Sequence, residues 1–124
     1  MTEAILQAIN DKLAAAGINY EFGVWTSDIV YPYFVGSYVE VESFTEDGQQ
    51  EATFTLDGFT KGSWLDLEEA KAKIEKLFSN FTAITESGSG VAVLYGNSSI
   101  IPTGDAELKR IQINLTTKEW SVSL

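Results

Sequence analysis

FVGSYVEVESFTEDGQQEATFTLDGFT, Phe34 to Thr60, decides how the rest of this chain is read. Val35, Val39 and Val41 alternate with Tyr38, Glu40 and Glu42, the pattern of a strand over Phe34 to Phe44 with an apolar valine face and a wet face. A second strand, Glu51 to Thr60, sets Ala52, Phe54 and Leu56 against Thr53, Thr55 and Asp57. Between them stands the acidic tip Glu46-Asp47-Gly48. Asp-Gly is a strong hairpin signal because glycine accepts a positive φ without steric cost. The two strands are therefore expected to pair antiparallel.

A helix follows the hairpin. Asp66 is a candidate N-cap, with Glu69 three residues on in capping-box spacing, and Ser63 is a competing cap. Leu67, Ala70, Ile74, Leu77 and Phe78 fall on one face at helical spacing, wide enough to cover the hairpin's apolar side. Lys71 and Glu75 are spaced to pair, and Asn80 is a plausible C-cap. Ahead of the hairpin, Thr2 to Ala16 carries the stripe Ile5, Leu6, Ile9 and Leu13, with Gly17 fitting the C-cap, and reads as a packing helix.

Ile18 to Tyr33 breaks both periodicities and reads as a lead-in with a short strand around Tyr20 to Val24. Trp25, Tyr31 and Tyr33 there, with Tyr38 in the following strand, are candidate interface aromatics. They serve either as binding anchors or as a lid over one end of a small core. Beyond the second helix, Phe81 to Glu86 and Val91 to Tyr95 read as a hairpin around Ser87-Gly88-Ser89-Gly90. Gly96 to Asp105 reads as a polar loop, Glu107 to Leu115 as a strand, and Thr116-Thr117-Lys118 as a turn into a last short strand, Trp120 to Leu124. The expected fold is one α+β domain over residues 1–124, an antiparallel sheet with two helices packed on one face.

Composition narrows the functions. Eight basic and eighteen acidic residues give a net charge of −10, which disfavours nucleic-acid binding, since that normally needs a basic patch. The chain has no cysteine and no histidine, so disulfides, thiolate chemistry, and the commonest metal ligand and general base are missing. No apolar run reaches spanning length and the N-terminus lacks a signal-peptide pattern, so cytoplasmic residence without a membrane partner is expected. Carboxylates such as Glu40, Glu42, Asp57, Asp66, Glu68 and Glu69 have no spacing that predicts a catalytic pair. Neither a Gly-Lys-Ser/Thr phosphate loop nor a Gly-x-Ser-x-Gly elbow occurs. No catalytic residue, metal or cofactor is expected, and the protein reads as a non-enzyme.

The order of elements resembles the tail-completion proteins (tail terminators, or head–tail joining proteins) of long-tailed phages and prophages. The points of likeness are the N-terminal helix, Val30-Tyr31-Pro32-Tyr33-Phe34-Val35-Gly36 leading into the first strand, and the acidic tip Glu46-Asp47-Gly48. Ala52-Thr53-Phe54-Thr55-Leu56, the helix from Leu67 to Ile74, and the late strand Leu108 to Leu115 complete them. The resemblance implies a structural virion subunit forming a ring, typically a hexamer, that caps the tail tube where the head connector docks. Glu46, Asp47, Gly48 and Asp57 would then face the lumen or a partner. Two other readings stand beside it: a small acidic intracellular protein-binding or inhibitor module, and an unrecognised enzyme.

Overall fold

The computed structural model describes residues 3–41, 49–84, 88 and 90–120. In chain order it contains α1 (Glu3–Ala15), β1 (Tyr20–Phe22), β2 (Tyr33–Val41), β3 (Gln49–Thr60), α2 (Trp64–Leu77), β4 (Phe81–Ile84), β5 (Gly90–Ile101) and β6 (Lys109–Trp120). The six strands form one sheet in the order β1-β2-β3-β6-β5-β4. β2 and β3 pair antiparallel, as expected, with Tyr38 opposite Phe54. β4 and β5 also pair antiparallel.

The expectation of an antiparallel sheet is corrected. β1 runs parallel to β2, with Tyr20 opposite Phe34 and Phe22 opposite Gly36, so the sheet is mixed. Strand residues also well outnumber helical ones. The parallel pairing follows from connectivity. The chain from Phe22 to Tyr33 returns to its starting end before β2 begins, and such a return is needed for parallel neighbours.

The two helices and one face of the sheet share a single core. Ile5, Ile9 and Leu13 of α1 and Leu67, Ala70, Ile74 and the adjoining Phe78 meet Phe34, Phe54, Leu56, Ile113 and Leu115. Burying each large apolar side chain contributes roughly 1.5–3 kcal/mol before entropy is charged against it. The face of β2 turned to this core is the reverse of the one expected. Phe34 is buried and Tyr38 packs against the core, whereas Val39 is 71% exposed. Alternation defines two faces but not which is inward. Phe54 and Leu56 of the neighbouring strand set that choice, and the aromatic residues of β2 lie on their side.

Local signals resolve in detail. Ser63, not Asp66, is the N-cap of α2, and its hydroxyl accepts from the Leu65 amide at 3.0 Å. Asp66 is the reciprocal member of the capping box, accepting from the Ser63 amide at 3.3 Å. The C-cap is Phe78 rather than Asn80. Lys71 pairs with Glu68 at 3.1 Å, and that contact raises the lysine's pKa. Gly17 ends α1 at φ +75°, the left-handed conformation glycine adopts readily.

β5 and β6 are longer than the sequence pattern suggests. The expected loop at Gly96 to Asp105 is strand as far as Ile101, and the expected turn at Thr116-Thr117-Lys118 lies inside β6. Polar strand residues there find cross-strand partners. The Asn114 side chain accepts from Thr55 and donates to Asn97, both at 2.8 Å. The Thr117 hydroxyl donates to the Ala52 carbonyl at 3.1 Å. A register shift between Tyr95 and Asn97 absorbs Gly96. Trp120 is the last residue of β6, and the remainder of the expected final strand lies outside the described residues.

Candidate functional site

The face of the sheet away from the helices carries a row that crosses four strands. Tyr33 of β2 stands opposite Phe59 of β3, Phe59 opposite Arg110 of β6, and Arg110 opposite Ile101 of β5. Cross-strand neighbours on one face lie close enough to interact. The Tyr33 and Phe59 rings stack with centroids 5.2 Å apart, and the Arg110 guanidinium lies 5.6 Å from the Phe59 centroid. Asp57 Oδ1 accepts from Arg110 Nη2 at 2.8 Å and Nε at 3.2 Å, so the cation over the ring is held by a carboxylate on the same face.

The β1–β2 connection folds onto this row. Trp25 packs on Tyr33 at 4.9 Å and Tyr31 on Tyr33 at 5.8 Å. Glu21 fixes the connection from below. Its carboxylate accepts from the Thr26 hydroxyl at 2.6 Å and from the Thr26 and Ser27 amides. The Thr26 hydroxyl, joined by those amides, lowers the Glu21 pKa. Asn19 Nδ2 reaches the Val30 and Pro32 carbonyls, both at 3.3 Å, and ties down the far end. Burial, with Tyr31 beside it, raises the pKa of the Tyr33 phenol. The connection nevertheless presents Val24 (67% exposed), Ile29, Val30 and Tyr31 to solvent.

The structure divides the expected aromatics. Trp25, Tyr31 and Tyr33 come together. Tyr38 lies on the helix side of the sheet, stacked on Phe22 at 6.0 Å, with Phe22 in turn on Phe54 at 6.2 Å. Asp57 belongs to the row through Arg110. Glu46, Asp47 and Gly48 lie outside the described residues. The residues that sequence reasoning missed are Phe59, Arg110 and Glu21. Arg110 is the chain's single arginine, and an aromatic stands two residues after Asp57 on the same strand face; those were the available signals.

Concavities lie elsewhere as well. A groove of about 600 Å³ runs between α1 and β1, lined by Leu6, Gln7, Asn10, Tyr20 and Phe22. A pocket of about 190 Å³ is lined by Asn19, Pro32, Phe34, Asp66, Glu69 and Lys73. The Asn19 amide and the Asp66 carboxylate there are already engaged in the loop and cap contacts above. Among the described residues no cluster of three or more Asp, Glu, His or Cys could hold a metal ion. No described helix is long and apolar enough to cross a membrane. No protein-family model matches the chain, and no curated relative matches it.

Proposed function

We propose that this chain is a structural subunit of a phage or prophage particle, a tail terminator that caps the tail tube and joins it to the head. The observation that carries the reading is the Trp25–Tyr31–Tyr33–Phe59–Arg110 surface, with the apolar connection residues around it. Rigid aromatic rings and an arginine are the residue types that dominate protein–protein binding energy. Here Tyr33 and Phe59 stand on the sheet, and Glu21 and Asn19 hold the loop that carries Trp25 and Tyr31. Much of the ordering cost of binding is therefore met before a partner arrives.

In a ring, this surface meets a different patch on the next subunit or the wall of the tube, a heterologous contact. The chain's partners are then itself, the tube protein and the head connector, assembled in the cytoplasm. With a net charge of −10, the ring repels DNA rather than binding it. Glu46, Asp47 and Gly48 are proposed to face the lumen, and Asp57, paired with Arg110 in the aromatic surface, to face the partner.

The test mixes the purified protein with tail tubes from the same particle and images them by electron microscopy. Rings at tube ends are expected. Trp25→Ala with Tyr31→Ala should abolish them while the fold is retained. Failure to bind tubes or to assemble on them rejects the proposal. In assembled particles, Glu46→Lys with Asp47→Lys should slow DNA passage; unchanged passage removes the lumen role alone. The same aromatic surface also suits a small acidic module that binds one protein. Such a module would capture its partner as a single copy and show no affinity for tubes.

A further inference from the structure

We propose that two copies of this chain pair through β5, antiparallel, about a two-fold axis at Ser99. β4 covers β5 only from Gly90 to Val93, so the stretch from Asn97 to Ile101 has one strand neighbour, β6, among the described residues. The direction of its backbone groups follows from the register. The Phe34 amide points outward to Asn19, so alternate residues carry the alternation through β2, β3 and β6 to β5. After the shift at Gly96, Asn97, Ser99 and Ile101 bond toward β6, and Ser98 and Ile100 turn their N–H and C=O groups off the edge. The outward Tyr95 amide, bonded to the Phe78 carbonyl, confirms the phase before the shift.

That spacing is self-complementary. With Ser99 opposite its own copy, Ser98 of each protomer stands opposite Ile100 of the other. Those pairs are the ones whose backbone groups face each other, and they exchange four hydrogen bonds. Ile100 is on the helix side of the sheet, opposite Ile111, yet 58% exposed. It lines a groove with Trp64, Pro102 and Leu108 that has a volume of about 350 Å³. Across the two-fold, the two Ile100 side chains are diagonal neighbours within reach of each other.

Charge favours a second copy as the occupant. Edge strands are usually protected by charged residues or proline within them. Gly96-Asn97-Ser98-Ser99-Ile100-Ile101 has neither, in a chain with 26 charged residues and net charge −10. Two acidic molecules repel elsewhere, but this stretch meets its own copy without a like-charge contact. Five paired residues a side bury less than the roughly 1,200 Å² of a standard interface, so the association is weak and shows at high concentration. The stretch touches the aromatic row only at Ile101, opposite Arg110, and the proposal does not rest on the tail-terminator reading.

Ser99→Cys tests it, since the chain has no other cysteine. Ser99 and its copy form a non-hydrogen-bonded pair, with Cα atoms about 4.5 Å apart, inside the disulfide range. Under mild oxidation the variant should form a covalent dimer about tenfold or more faster than Asn10→Cys, on the exposed face of α1. Adding Ile100→Lys should remove that advantage. In sedimentation equilibrium the unmodified protein should show a monomer–dimer equilibrium that Ile100→Lys abolishes with unchanged circular dichroism. Equal cross-linking rates, a monomer at every concentration, or association indifferent to Ile100→Lys would each overturn the pairing. Tube binding is scored separately, so either reading can fail alone.

Discussion

Gly58→Ala tests whether the aromatic core is as tightly interlocked as it looks. A Cβ at Gly58 would lie 2.8 Å from both Cδ1 and Cζ of the Phe34 ring and closer still to Cε1. Carbon atoms in good contact are about 3.5–4.0 Å apart, so the ring must move. Phe34 is 1% exposed, and its ring sits in the cluster with Phe54 and Leu56. Overpacking of this kind costs roughly 1–3 kcal/mol. Replacing glycine in a strand recovers about 0.5–1 kcal/mol of backbone entropy, since the position needs no left-handed backbone. The net expectation is a loss of about 1–2 kcal/mol. With a urea slope of about 2 kcal/mol/M for a domain of this size, the unfolding midpoint should fall by about 0.5–1 M. Phe34→Leu makes room for the methyl group, so the double variant should be less destabilised than the sum of the singles, with a coupling of about 1 kcal/mol. A Gly58→Ala midpoint at or above the parent's, or strict additivity in the cycle, would refute the argument.

Burial raises the Tyr20 phenol to about 12. The unfolded chain releases that proton near 10, so the stabilising contribution is intact below pH 10 and is lost as pH rises toward 12. Tyr20→Phe should flatten the alkaline limb of the stability curve, followed by circular dichroism. Ser63→Ala should cost about 1 kcal/mol in urea denaturation, because the Leu65 amide loses its acceptor. Asp57 and Arg110 are both partly exposed, so a double-mutant cycle with Asp57→Ala and Arg110→Met should give a coupling near 1 kcal/mol that weakens with added salt. A coupling indistinguishable from zero would mean that the aromatic row is positioned without the ion pair.

The local units are legible in the residue pattern alone. The stripes Ile5-Ile9-Leu13 and Leu67-Ala70-Ile74 specify the helices. Ala52, Phe54 and Leu56 specify the inward face of β3, and a cap is signalled at the start of α2, although the residues offer both Asp66 with Glu69 and Ser63, and the fold takes Ser63. These signals are periodic or short-range, so neighbouring residues suffice to express them. Tertiary structure decided what depends on partners distant in sequence. β1 pairs with a strand a dozen residues on, in a direction set by the path of the connection. Asn97 and Thr116 are strand because β6 and β5 supply hydrogen bonds that their own composition does not foretell. Val39 faces solvent because Phe54, on another strand, draws Tyr38 inward. The aromatic surface was legible only as a list of rings: Trp25, Tyr31 and Tyr33 were visible in the chain, but Phe59 and Arg110 join them through cross-strand register. That register exists only once the sheet has formed.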